Sequence, residues 1–221
     1  MGLHIIEESY KAGVQKIVNI GTACSYPKYA PIPLKEPDIW NGYPEETNAP
    51  YGIAKRMLIA GVDAYKKQYK LNIIPLIIFN LYGPRDNFDL ETSHVIPALI
   101  RKCLENDKLI VWGDGSSTRS FLFVEDAARA VVLATKNYNE SLPVNISSSE
   151  ETSIKDLVDL IVELTGFKGN IEFDTNKPNG QPRRCADVKL AKKKFNFTAQ
   201  YSIREGLMKT INWYKLNKEL L

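Results

Sequence analysis

Residues 72–79 read Asn72-Ile73-Ile74-Pro75-Leu76-Ile77-Ile78-Phe79. A continuous apolar run of this length marks a strand buried on both faces of a parallel sheet. Upstream, Lys16-Ile17-Val18-Asn19-Ile20-Gly21 is a second short run rich in β-branched residues. Between the two, residues 50–69 read as a helix, with Thr47 or Asn48 as its cap and Pro50 suited to the first turn. Strand, helix, strand is the βαβ unit, and it predicts an α/β fold around a parallel sheet.

The elements around this unit follow from the same signals. Leu3, Ile6 and Tyr10 predict a helix over residues 3–12, ended by Ala12-Gly13. Residues 22–50 are rich in Pro, Tyr, Gly and Asn and predict one long ordered loop, a length usually kept for function. Later helices are expected at 94–106, from 125 to about 135, at 154–165 between the Ser153 cap and Gly166, and at 190–195 and 203–216. Strands are expected at 109–112, 119–124, 144–146 and 171–173. The Lys192-Lys193-Lys194 run reads as a solvated helix face.

With 221 residues, 44% of them hydrophobic, the chain can bury a core as one large or two small domains. A net charge of +3 is too mild for a dominant nucleic-acid footprint. Cys24, Cys103 and Cys185 are few, odd in number and far apart, which suggests a reducing compartment and no disulfide framework. With only His4 and His94 and no CxxC, no metal site is expected. No apolar run is long enough for a membrane span, and no secretory leader is read at Met1.

Tyr51-Gly52-Ile53-Ala54-Lys55 carries the first chemical signal. Residues four apart share a helix face, so the Tyr51 hydroxyl and the Lys55 ammonium can point into one site. A nearby cation favours the phenolate, which makes Tyr51 a candidate proton donor and acceptor for a carbonyl or alcohol. Alone, the pair also reads as an ordinary surface pair. The loops beginning Thr22-Ala23-Cys24 and Asn80-Leu81-Tyr82 both leave the predicted carboxyl ends of strands, where open α/β sheets bind ligands.

Taken in order, GTACSYP, YGIAK, NLYGPRDNF, SHVIPALI and WGDGSSTRSFLFVEDAA resemble the extended short-chain dehydrogenase/reductase family, the NAD-dependent epimerase/dehydratases. Cys24 and the Tyr26-Pro27-Lys28 loop are similar to the branch that works on a GDP-linked ketosugar, as are Asp86-Asn87-Phe88 and the run Ser93-His94-Val95-Ile96-Pro97. The resemblance implies a partial Rossmann-like, doubly wound parallel sheet with its N-terminal strands absent, plus a smaller C-terminal α/β region that binds substrate. Residues 1–92 would be the remnant of the NAD(P)-binding domain and 93–221 mainly the substrate region, with about 119–148 returning to the sheet. It further implies NADP-dependent 3,5-epimerisation and 4-reduction of GDP-4-keto-6-deoxy-D-mannose to GDP-L-fucose, with NAD as the alternative cofactor, in a cytoplasmic homodimer.

The residue roles carried by the resemblance are these. Tyr51 protonates O4, Lys55 holds the nicotinamide ribose, and Thr22 hydrogen-bonds the reacting oxygen. Cys24 is the base at C3 and C5 and His94 the matching acid, with His94 also near the cofactor. Asn80 and the backbone at Leu81 face the nicotinamide, and Asn80 also touches substrate. Arg119 grips the diphosphate, Lys102 and Arg183 or Arg184 add charge there, and Trp112 stacks on the base. Read singly, Thr22 is a turn cap, Cys24 a small buried apolar residue, His94 a helix start and Trp112 a core aromatic.

One departure stands out. The family opens with a glycine-rich turn that brings the cofactor pyrophosphate to a helix N-terminus, and these 221 residues contain neither G-x-G-x-x-G nor G-x-x-G-x-x-G. The expectation is a shortened gene product, a partial form, or a half completed by a partner. If the chain is whole, poor NADPH affinity and an exposed, aggregation-prone sheet edge are expected. Two other readings stay open: a different nucleotide-sugar 4-epimerase or reductase of the same superfamily, and an inactive fragment that only binds nucleotide sugars.

Overall fold

The computed structural model describes residues 1–220. In chain order the helices are α1 (Gly2–Lys11), α2 (Ala49–Tyr69), α3 (Val95–Glu105), α4 (Val124–Asn137), α5 (Ile154–Thr165), α6 (Lys189–Phe195) and α7 (Ile203–Asn217). The strands are β1 (Ile17–Thr22), β2 (Ile73–Ile78), β3 (Leu81–Tyr82), β4 (Lys108–Trp112), β5 (Thr118–Arg119), β6 (Leu122–Phe123), β7 (Val144–Ile146), β8 (Thr152–Ser153), β9 (Asn170–Asp174) and β10 (Arg183–Arg184).

The central sheet runs β1-β2-β7, and both pairings are parallel. Alternate side chains of β2 feed two helical layers, which is why the run carries no polar residue. Ile73 packs with Val62 of α2, and Ile77 and Phe79 with Ile59 of α2 and Tyr26. Ile74 and Leu76 pack on the other face against Ala127, Ala130 and Ala134 of α4 and Phe195 of α6. Pro75 sits in this middle strand at no cost in hydrogen bonds. Phe79 N donates to Ile146 O, so the odd-numbered amides of β2 point toward β7. The β7 ladder starts only opposite Leu76, so no strand residue stands ready to receive a proton from position 75.

β1 is the edge of this sheet among the described residues. Ile17 N donates to Asn72 O, so the backbone groups of Val18, Ile20 and Thr22 point away from β2. A second core lies between α3, α5 and α7 and the parallel pair β4-β9, filled by Leu99, Ile100, Leu109, Leu157, Ile161 and Ile211.

Several expectations need correction. Asn48 holds the α2 cap position but its side chain makes no cap bond, and Thr47 lies inside a 3-10 turn, Glu46–Asn48. That turn and two others (Ala23–Ser25 and Glu36–Trp40) break up the predicted loop. The strand expected at 119–124 divides: β5 pairs with β8 and β10, whereas β6 pairs with β3. Six residues of mixed character cannot keep one strand in one sheet when Ser120 is drawn to Ser147 and Arg184. Strands β3, β8 and β10 had no sequence signal, since two residues are too few to show a period.

The loop after β1 is tied down by a buried polar knot. Tyr26 and Asn145 are both fully buried. The Tyr26 hydroxyl donates to Asn145 Oδ1 at 2.7 Å. Asn145 Nδ2 donates to Leu34 O at 2.9 Å, and its backbone N–H donates to Glu36 Oε1 at 2.9 Å. Asn145→Ala leaves the Tyr26 hydroxyl buried without its acceptor, a cost of about 1–3 kcal/mol. For a chain of this size Tm should fall by about 2–4 °C per kcal/mol. Thermal denaturation checks this, and an unchanged Tm contradicts it.

Candidate active site

β1 and β2 both end at the same rim of the sheet, and a cavity of about 880 Å³ opens there. That volume suits a drug-sized or larger ligand. Its wall includes Thr22, Cys24, Tyr51, Asn80, Leu81, His94 and Arg119. The topology brings these together from five parts of the chain: the end of β1, the start of α2, the β2–β3 crossing, the cap of α3, and β5.

Thr22 caps the turn that presents Cys24. Its Oγ1 accepts from Cys24 N at 3.3 Å, so the hydroxyl proton stays free to donate into the cavity. The start of α2 sits hard against this turn. A Cβ added at Gly52 would stand 2.3 Å from Cys24 O, so the helix and the turn meet backbone to backbone there. Tyr51, beside that contact, is 50% exposed at the cavity mouth. Lys55 lies one turn on, its Nζ 5.8 Å from the Tyr51 ring centroid, and it donates to Ile20 O on the free edge of β1 at 3.0 Å. Lys55 therefore stands behind Tyr51 rather than in the cavity wall.

Asn80 takes a left-handed backbone (φ 33°), which Asn tolerates better than most residues. Its Nδ2 donates to Ser120 O at 2.8 Å and fixes the crossing from β2 to β3. Leu81 is 43% exposed on the cavity side of that crossing. His94 is the cap residue of α3 without a side-chain cap bond, so its ring is not spent on the helix.

Sequence reasoning missed two wall carboxylates. Asp86 reaches the cavity beside His94, and burial pushes its carboxyl above the usual range while His94 opposes the shift. The Asp86-Asn87 turn was the signal available for it. Glu45 joins the wall, pairs with Lys28 at 3.3 Å and accepts from Gln181 Nε2 at 2.8 Å. Arg184, an alternative to Arg183 in the sequence, is the member of that pair in the wall. Successive strand residues point to opposite faces, so only one of them can face the cavity.

Arg183 instead forks onto Glu151, with bonds of 2.8 Å from Nε and 2.8 Å from Nη2. Lys102 and Trp112 also lie outside the wall. Lys102 is in the last turn of α3, roughly 12 Å along the axis from His94 at 1.5 Å per residue, and its Nζ reaches Ile110 O at 3.4 Å. Trp112 is 63% exposed, with Lys177 Nζ 5.5 Å from its ring centroid.

A parallel α/β sheet with a Tyr-x-x-x-Lys helix at the carboxyl rim of its strands defines a class, the extended short-chain dehydrogenase/reductases. Within it, the chain belongs to the NAD dependent epimerase/dehydratase family, whose model matches residues 1–147. It is 46% identical over 189 residues to a GDP-L-fucose synthase of Sinorhizobium fredii, covering 83% of this chain and 60% of that protein. It is 41% identical to a putative GDP-L-fucose synthase 2 of Arabidopsis thaliana, covering 97% of this chain and 66% of the relative. The chain thus spans about three fifths to two thirds of the length of these relatives. A GDP-L-fucose synthetase of Naegleria fowleri bound to NADP superposes with a TM-score of 0.93 at 30% identity, over 99% of this chain and 69% of that one.

The Glu151–Arg183 pair gives a pH test of the wall's outer support. The Arg183 fork, with Thr118 adding a further bond, draws the Glu151 carboxyl from 4.5 down to about 2. A folded-state value below the unfolded one stabilises fully above pH 4.5 and is lost as pH falls toward 2. Glu151→Gln should flatten the change of stability across that window in denaturant titrations. A slope equal to that of the unaltered protein contradicts the assignment.

Proposed function

We propose that this chain carries the catalytic rim of an NADP-dependent 3,5-epimerase/4-reductase that converts GDP-4-keto-6-deoxy-D-mannose to GDP-L-fucose. One observation carries the reading: a single cavity gathers Thr22, Cys24, Tyr51, His94 and Arg119. Relatives at 46% and 41% identity, named as GDP-L-fucose synthases, support the choice within the family.

The nicotinamide end of the cofactor fits the residues present. Tyr51 and Leu81 are exposed at the cavity, and Lys55 stands behind Tyr51 on the free edge of β1. Lys55 would hold the ribose, and Asn80, Leu81 and His94 would border the ring. When bound, the reduced cofactor supplies hydride to C4. The chain's own groups handle the protons. The C4 ketone acidifies C3 and C5, and Cys24 takes a proton from these carbons. His94 returns a proton on the opposite face, which inverts the centre. Thr22 and Tyr51 hold the C4 oxygen, and Tyr51 gives it the proton that completes an alcohol. Arg119 grips the diphosphate with its forked guanidinium. We extend the proposal to a cytoplasmic homodimer; no helix among the described residues is long and apolar enough to cross a membrane.

The test is incubation of GDP-4-keto-6-deoxy-D-mannose with the chain in D2O, followed by proton NMR. Deuterium should enter C3 and C5 without added cofactor, and Cys24→Ser should slow this by about 10²–10⁴-fold. No exchange with the unaltered chain overturns the reading. Turnover that ignores Cys24→Ser points to a 4-epimerase of the same family instead.

A further inference from the structure

Arg184 presents a charge that the fold does not match. It stands in register with Arg119 on paired parallel strands, so both guanidiniums leave the same face and enter the same cavity wall. Arg184 Nη2 donates to Ala23 O at 2.6 Å, the carbonyl between Thr22 and Cys24. Its Nε is shielded from solvent and has no hydrogen-bond partner. It forms none of the ion pairs among the described residues. Of the acidic groups that favour its charge, Cys24 belongs to the site itself and Glu45 is held by Lys28 and Gln181. Burial pulls the pKa of both guanidiniums below the ordinary value, and Arg184 adds to the effect on Arg119.

Two shielded cations side by side, one with an unused N–H, are costly unless an anion joins them. For Arg119 the proposed function supplies the diphosphate. Arg184 is placed differently, because its guanidinium is bonded to the turn that presents Cys24. It therefore stands at the ring end of the cavity.

Resting on that proposed function, we infer that Arg184 contacts the substrate and stabilises the negative charge that forms on the C4 oxygen during epimerisation. The step is balanced within the site. The proton leaves C3 or C5 for the Cys24 sulfur, and the C–H electron pair becomes the carbon–carbon double bond of an enolate. The carbonyl π pair moves onto O4, where a fixed cation in a water-poor wall is worth most. Return of a proton from His94 restores the ketone, and no oxidant or reductant is consumed.

The experiment is deuterium exchange at C3 and C5 in D2O without cofactor, read as kcat and KM, for R184M and R184K. Calorimetric binding of GDP-mannose is measured alongside. R184M should lower the exchange kcat by about 10²–10³-fold, while KM and GDP-mannose affinity change little. R184K keeps the charge but not the fork, so its kcat should fall between the two. R119M should do the opposite, weakening GDP-mannose binding more than it lowers kcat. An R184M variant with raised KM, weakened binding and intact kcat overturns the inference and assigns Arg184 to the diphosphate. Should R184M fail to fold, R184K decides alone: unchanged kcat overturns the inference, and lowered kcat at constant KM supports it. If the unaltered chain binds GDP-mannose but never exchanges, the underlying functional reading fails first and takes this one with it.

Discussion

The site depends on a hydrogen bond between two groups that never see water, the Tyr26 hydroxyl and the Asn145 amide. A buried hydroxyl without an acceptor would cost more than the bond returns, so this contact has effectively one arrangement. Tyr26 follows the Cys24 turn by one residue, and Asn145 is the middle residue of β7. The bond therefore fixes a loop that would otherwise wander to the most rigid part of the molecule. Asn145 extends the anchor by holding Leu34 and Glu36, which pins the far side of the same loop.

From this anchor the chemistry follows by geometry. With the loop fixed, Thr22 caps the Cys24 turn and α2 comes into backbone contact with it at Gly52. Tyr51 then stands at the mouth of the cavity and Lys55 at the edge of β1. The opposite wall arrives on other elements, His94 at the head of α3 and Arg119 on β5. Acid–base groups and cations thus converge on one volume although no two walls share a secondary-structure element. That arrangement suits a ligand with an acidified carbon at one end and phosphate at the other.

What could be read in the sequence was whatever has a period or a cap. The β2 run, the α2 helix and the α5 helix between Ser153 and Gly166 were legible, because burial on two faces and capping leave local marks. The pairing of Tyr51 with Lys55 was legible from helical spacing. The two-residue strands were not, since their existence depends on partners far away in the chain. The same is true of the choice between Arg183 and Arg184, which turns on the register of β10 against β5. Lys102 and Trp112 looked equivalent to Arg119 in sequence, yet helix length and an outward strand face place them beyond the cavity wall. Asp86 went unread as a site residue because only the fold sets it beside His94.

The most direct test of this account is alkylation of Cys24 by iodoacetamide, followed by peptide mass spectrometry, with and without saturating GDP-mannose. The sugar nucleotide should fill the cavity and protect Cys24, while the buried Cys103 and Cys185 react slowly in either case. Equal modification of Cys24 with and without the ligand would show that the thiol does not face the sugar, and the convergent site would be refuted.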